Sequence, residues 1–301
     1  MHVFVTGASG HLGSALLPEL LAAGHRVTGL ARSDASAAAL TALGAEVRRG
    51  DLDDLDGLRA AAAAADGVIH LAFKHESMLR GDYAGAIADD LTVVHALRDA
   101  LAGSGKALVG TSGTGVGSLP GQLATEDVAV PGAPRGEAEQ AVIDAAADGV
   151  RTAVVRLPPV VHSPLDHHGF VPVLIRIARA TGVSGHLGDG ANRWPAVHTL
   201  DAARLYRLAL EQAPAGTRLN AVGDQGIPFR DLATAIGDRL GLPVARIPDE
   251  TAESHFGFLS FLVPRDIPAS ATRTRETLAW KPEHPGLLAD LELPHYFTTA
   301  D

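Results

Sequence analysis

Three glycines near the start of this 301-residue chain, Gly7, Gly10 and Gly13, have the spacing of a turn that cradles phosphates. The first allows a tight turn, the second lets backbone approach a pyrophosphate, and the third lets a helix pack on a strand. Between them lie Ser9, His11 and Leu12, whose backbone N–H groups would face the anion at the helix N-terminus. Other side chains suited to chemistry are scattered. Arg32 offers a planar fork for a phosphate and Ser33 a hydroxyl beside it. Lys74 and His75 stand together, and His75 and His162 are of the type that moves protons near neutral pH.

These residues need strands and helices to place them. Val3–Val5 reads as a buried strand, Ser14–Leu21 repeats apolar residues at helical spacing, and Val27–Leu30 reads as a second strand. Strand, glycine turn, helix and strand is the context that turns a glycine triplet into a dinucleotide site. The unit then recurs. Helices are predicted over 35–43, 54–65, 84–102 and 136–147, and strands over 46–48, 68–73, 107–110 and 152–157. The expected fold class is α/β, a Rossmann-type doubly wound parallel sheet with a smaller C-terminal substrate lobe. After Pro158-Pro159 the texture changes to proline, histidine and short helices, while 216–223 reads as a returning strand. The expected division is therefore 1–160 plus about 195–225 for the dinucleotide domain, and about 161–194 plus 226–301 for the substrate lobe. A cleft should open at the carboxyl ends of the strands.

Bulk properties restrict the partners. Hydrophobic residues make up 46% and charged residues 20%, which describes a globular chain. A net charge of −10 argues against nucleic acid or an anionic membrane surface. With no cysteine there is no disulfide, thiolate nucleophile or thiolate metal site. No apolar run reaches the about 18 residues of a membrane span, and the chain enters a strand at once, so no leader and a cytoplasmic setting are expected. The expected partner is a small-molecule substrate.

The string TGASGHLG resembles the TGxxGxxG turn of the short-chain dehydrogenase/reductase superfamily. GDLDD at 50–54, HLAF at 70–73 and WPAVHTLDAARLYRLALE at 194–211 are similar to its extended branch, the nucleoside-sugar epimerases, dehydratases and related reductases. The resemblance implies that Asp51 and Leu52 flank an adenine ring, that Leu71, Ala72 and Phe73 run beside a nicotinamide ribose, and that Thr111 and Pro158 border the same cofactor. Asp51 is equally suited to cap the helix after it. NAD-binding folds carry an acidic residue at the end of the second strand for the ribose hydroxyls. Here that place falls on Ala31, followed by Arg32 and Ser33, which points to NADP over NAD, while Asp34 keeps NAD open and Arg32 also suits a solvated loop.

The superfamily's working centre is Tyr-x-x-x-Lys with an upstream serine or threonine, and this chain departs from it. Its tyrosines, Tyr83, Tyr206 and Tyr296, are followed four residues later by Ile87, Leu210 and Ala300. The resemblance places Ser112 at the catalytic serine, Arg135 at the lysine and Pro131 at the tyrosine. Arginine still hydrogen-bonds a ribose but does not give up a proton near neutral pH, and proline has neither hydroxyl nor N–H. The catalytic candidates are therefore Ser112, His75 and His162, against readings of the two histidines as a polar loop and a hinge residue. By resemblance Asn192, Arg193 and Trp194 edge the substrate cleft, with Lys74 at the sheet's carboxyl edge. Arg193 would receive an anionic group, or else pair with Asp201 to hold the lobes together. His162, Asp166, His167 and His168 suggest metal ligands by type, but adjacent histidines in an irregular segment do not converge readily on one ion, so no metal is expected. The apolar stretch 255–270 reads as a substrate wall, a homodimer contact or lobe core. The reading is an NADP-dependent oxidoreductase of a carbonyl or alcohol with an atypical centre. A non-redox NADP-binding regulator or scaffold and a sugar epimerase/dehydratase-like enzyme stand as alternatives.

Overall fold

The computed structural model describes residues 1–119 and 121–298. Seven parallel strands form the main sheet: β1 (His2–Thr6), β2 (Arg26–Ala31), β3 (Glu46–Arg49), β4 (Gly67–His70), β5 (Ala107–Gly113), β6 (Arg151–Leu157) and β10 (Thr217–Asn220). Their spatial order is β10-β6-β5-β4-β1-β2-β3, so the winding reverses beside β1. Val3 and Val5 pack with α1 (His11–Ala22) and α8 (Thr199–Gln212) on one face. Phe4 packs with α3 (Leu55–Ala64), α5 (Tyr83–Leu101) and α6 (Gly136–Asp144) on the other. The alternation of side chains along a strand thus builds two cores on one sheet. Helix α2 (Asp34–Ala42) adds Leu40 to the α1 face.

The smaller lobe is built on β7 (Val160–His162), β9 (Arg193–His198) and β11 (Asp224–Pro228), with β9 central. Strands β8 (Ser184–His186) and β12 (Val244–Arg246) pair separately. Val171 and Ile175 of α7 (Phe170–Thr181), Trp194, Phe229 and Ile236 of α9 (Phe229–Leu240), and Phe256 of α10 (Ala252–Phe256) form its core. Of the apolar stretch 255–270, Phe256, Leu259 and Val263 lie in that core, while Phe258 and Phe261 are exposed. The chain recrosses once more than the sequence division suggests. Ala269, Ala271, Leu278 and Trp280, around α11 (Thr272–Leu278), pack into the large-domain core.

Strand β4 is shorter than the run 68–73. Its pairing with β5 ends at Ile69–Val109, and the chain leaves the sheet through Leu71–Lys74, which belong to no strand or helix, before α4 (His75–Leu79), where a polar loop was one of the two expectations. Thr111 Oγ1, on β5, donates to the His70 carbonyl at 2.7 Å and holds this departure in place.

Candidate functional site

Gly7 follows β1 directly and adopts φ +68°, where a side chain would be strained. A Cβ on it would lie 2.7 Å from the Ala72 nitrogen. A Cβ on Gly13 would lie 2.4 Å from the carbonyl oxygens of Gly7 and Ala8. Helix α1 therefore packs on the turn only because both positions lack side chains. Gly10 caps α1 with extended backbone and no side-chain acceptor, so the first-turn N–H groups of His11, Leu12 and Gly13 remain free for an anion. A pyrophosphate fits this cradle. The His11 ring turns away from it, its Nε2 lying 2.8 Å from Thr199 Oγ1 at the start of α8.

At the adenosine end, β2 closes on Ala31 and leaves Arg32 exposed in an ion pair with Glu76. Ser33 caps α2, its Oγ accepting from Ser36 N–H at 3.1 Å. Arg49, at the end of β3, donates to the Ser33 carbonyl and pairs with Asp34. Two guanidinium groups thus flank one helix N-terminus. Arg49 was missed in the sequence because only sheet register brings Arg49 opposite Ala31. Asp51 Oδ1 accepts from the N–H groups of Asp53 and Asp54, and the α3 cap is Asp54, not Asp51. Leu52 packs against the α3-face core, and Pro158 is buried after β6.

Beyond the carboxyl ends of β4 and β5, at the start of α6, stands Arg135. Its backbone has φ +63°, a left-handed conformation that costs a non-glycine residue about 1–3 kcal/mol. Its guanidinium lies 4.5 Å from the centre of the Phe73 ring and donates to the Thr111 carbonyl at 2.9 Å. It also donates to Asp90 Oδ2 from Nη2 at 3.0 Å and from Nε at 3.2 Å. Asp90 is buried; desolvation alone would raise its pKa, but bonds from His70 and Arg135 outweigh this and hold its carboxyl below the usual range. His75 stands exposed at the rim, its ring edge-to-face with Phe73 at 5.1 Å. Desolvation, then the charge of Arg135, push its imidazole below the usual histidine range.

The other candidates have the following surroundings. Ser112 is 2% exposed, and its buried Oγ lies toward the Glu139 carboxylate with no hydrogen bond of ordinary length among the described residues. Thr111 bonds Tyr206 of α8, so by strand alternation Ser112 points to the opposite, α6 face. His162 is wholly buried, with Nδ1 2.8 Å from Asp290 of α12 (Leu287–Leu291), and reads as a lobe-core histidine. Trp194 is 1% exposed between Phe170 and Phe229, so it is core and not cleft edge. Arg193 pairs through both fork nitrogens with Asp266, not with Asp201. Lys74 is shared between Asp53 at 2.6 Å and Asp89 at 2.8 Å, leaving no free cation for a substrate.

The four residues suggested by type as metal ligands do not assemble as a group; His162 and Asp166 serve separate carboxylate and tyrosine bonds. Ligand atoms of His198, Asp201 and His284 do approach within 4.8 Å of one another. The Asp201 oxygens already accept from Glu283 N–H, His284 N–H and the His284 ring, and the two imidazoles stack nearly parallel, 8° apart. Stacked rings direct their lone pairs along parallel planes, which does not suit one ion. Burial, then the neighbouring histidines, lower the His198 pKa to about 4.

Comparison with known proteins agrees with this architecture. The chain is 45% identical over 299 residues to an uncharacterised protein of Schizosaccharomyces pombe, covering 99% of this chain and all of that one. It is 31% identical over 267 residues to a 2-alkyl-3-oxoalkanoate reductase of Stenotrophomonas maltophilia, covering 81% and 77% of the two chains. UDP-glucose 4-epimerase of Thermotoga maritima superposes with a TM-score of 0.77 at 21% identity, over 99% of this chain and 98% of that one, which speaks to fold alone. Residues 3–221, which hold nearly all of the seven-stranded sheet and the whole glycine cradle, match the NAD dependent epimerase/dehydratase family, and the chain belongs to that family.

Proposed function

We propose that this protein is an NADP-dependent reductase of a ketone, or the reverse dehydrogenase, with His75 as the proton-transferring group in place of the absent tyrosine. The observation that carries the reading is the contiguous group His75–Phe73–Arg135 at the carboxyl edge of the sheet, next to the glycine cradle through the Ala72–Gly7 contact. A bound nicotinamide dinucleotide supplies hydride. The chain's residues have the remaining tasks. The α1 N-terminus binds the pyrophosphate, Arg135 orients the nicotinamide ribose, and His75 gives a proton to the carbonyl oxygen as it gains negative charge. Arg32, with Arg49 behind it, accommodates a 2′-phosphate where Ala31 removes the carboxylate that would repel it. Two relatives of comparable length carry ketone-reducing names. Beside the reductase above stands a quinoline-oxide ketoreductase of Stigmatella aurantiaca, 29% identical over 278 residues.

The test incubates NADPH with a panel of ketones and aldehydes and follows loss of its absorbance. Consumption that falls at least about a hundredfold in His75→Gln, with NADPH affinity retained, is the expected result. As a proton donor His75 works in its charged form, and its pKa lies below the usual histidine range. Reduction should therefore slow as pH rises through a value below that range, and the slope should vanish in the variant. Tight NADPH binding with no consumption by any panel member would instead favour a dinucleotide-binding regulator, the reading that the sealed Ser112 hydroxyl supports.

A further inference from the structure

We infer that Asp90 and His70 are positioning residues that hold Arg135 over the nicotinamide half of the crevice and tie it to the phosphate turn. The inference rests on the dinucleotide-binding part of the reading above, not on catalysis. Four side chains form one continuous line. The Ala72 N–H donates to Thr6 Oγ1 at 3.3 Å, and Thr6 Oγ1 lies 2.6 Å from His70 Nδ1. The Thr6 hydroxyl donates to Nδ1, because the ring proton is held on Nε2, the nitrogen that faces the accept-only carboxylate of Asp90. That nitrogen donates to Asp90 Oδ1 at 3.2 Å, and Asp90 Oδ2 receives both Arg135 bonds. Thr6, His70 and Asp90 are each less than 5% exposed, whereas the Arg135 side chain is 17% exposed. The line is buried behind and exposed only at its guanidinium end.

Two features indicate service to a ligand. The first is strain: Arg135 is held at φ +63° although a glycine, Gly136, follows it, so the left-handed turn is spent on the residue that carries the guanidinium. The second is shared anchorage. Ala72, which bonds Thr6, is the residue whose nitrogen would collide with a Cβ on Gly7. The tip of the phosphate turn and the far end of the Arg135 line therefore rest on one peptide group. A buried carboxylate between a histidine and an arginine fixes a fork in one orientation, as outer partners orient functional side chains elsewhere.

The test measures binding of two probes by calorimetry. NADPH spans the whole crevice; adenosine 2′,5′-bisphosphate carries only its adenosine end. Asp90→Asn, which keeps the volume, should weaken NADPH about tenfold and leave the bisphosphate within about twofold. Arg135→Gln should do the same. The double variant should be no weaker than Arg135→Gln, because Asp90 acts through the arginine. Arg135→Lys should recover part of the loss. His70→Gln approaches the line from its other end and keeps the inference testable should Asp90→Asn not fold. Unchanged NADPH binding in Asp90→Asn, equal loss of both probes, or additive losses in the double variant each overturn the inference while leaving the functional reading standing. A parent protein that binds neither probe overturns both.

Discussion

At the scale of single residues, chemistry is decided by what a side chain is left free to do. Arg32 and Lys74 look alike in the sequence as cations beside the cleft. Lys74 is enclosed by two carboxylates, whereas Arg32 is exposed and holds one surface partner, Glu76, that solvent screens and an incoming phosphate can displace. Arg32→Ala should weaken NADPH by about 2 kcal/mol and leave NADH nearly unchanged, since only the former carries the 2′-phosphate. Calorimetry with both nucleotides checks this, and equal affinities in the parent would remove the NADP preference. Arg193, by contrast, is committed to Asp266 at the surface of the small lobe. Arg193→Ala should change stability by about 1 kcal/mol or less.

At the scale of elements, two contacts decide whether the site is assembled. The first is the close approach of α1 to the phosphate turn. Gly13→Ala places a methyl group against backbone carbonyls that cannot rotate aside. It should cost about 1–3 kcal/mol in urea unfolding and lower affinity for both nucleotides together. The second is the buried ion pair beneath α6. Arg156, wholly buried on β6, gives Nη2 to Glu139 Oε1 at 2.6 Å and Nη1 to the Val128 carbonyl at 2.8 Å, and Arg218 adds a further bond to Glu139. This fastens the segment that ends in Arg135. Desolvation pushes the Glu139 pKa up, but the two arginines outweigh it and the net displacement is downward. A carboxylate with a depressed folded pKa stabilises above its unfolded value and loses that stability as pH falls through the folded one. Glu139→Gln should leave Arg156 uncompensated and cost about 3–5 kcal/mol at neutral pH, with the difference from the parent narrowing in acid. Unfolding at several pH values measures it.

At the scale of the whole molecule, the seam between the two lobes converges on one hydroxyl. Thr199 Oγ1, fully buried, lies 2.8 Å from His11 Nε2 on the phosphate turn, receives Ser163 Oγ at 2.8 Å, and donates to the His162 carbonyl at 3.1 Å. Residues from α1, the segment after β7 and α8 thus meet at a point. Thr199→Val preserves shape but strands these polar groups. It should cost about 1–3 kcal/mol, seen as a lower thermal midpoint in one cooperative transition. Two separated transitions would show that the lobes do not depend on this contact. No described helix is long and apolar enough to cross a membrane.

What the sequence determined by itself was whatever local spacing encodes. The glycine triplet, the helix after it and the alternation of strands and helices were legible because backbone sterics and side-chain periodicity act over a few residues. The order β10-β6-β5-β4-β1-β2-β3 came from the tertiary structure, since right-handed crossovers between parallel strands restrict the windings without choosing one. Tertiary structure alone decided which chemically able side chains face the crevice. Ser112 and Thr111 are neighbours in the chain and lie on opposite faces of one strand; Trp194 follows an arginine in sequence and lies between aromatic rings in space. The line from Thr6 through His70 and Asp90 to Arg135 joins residues 64, 20 and 45 positions apart. No local pattern marks such a line, because its members meet only after the sheet has brought its strand ends together and burial has made an unpaired charge too costly to keep.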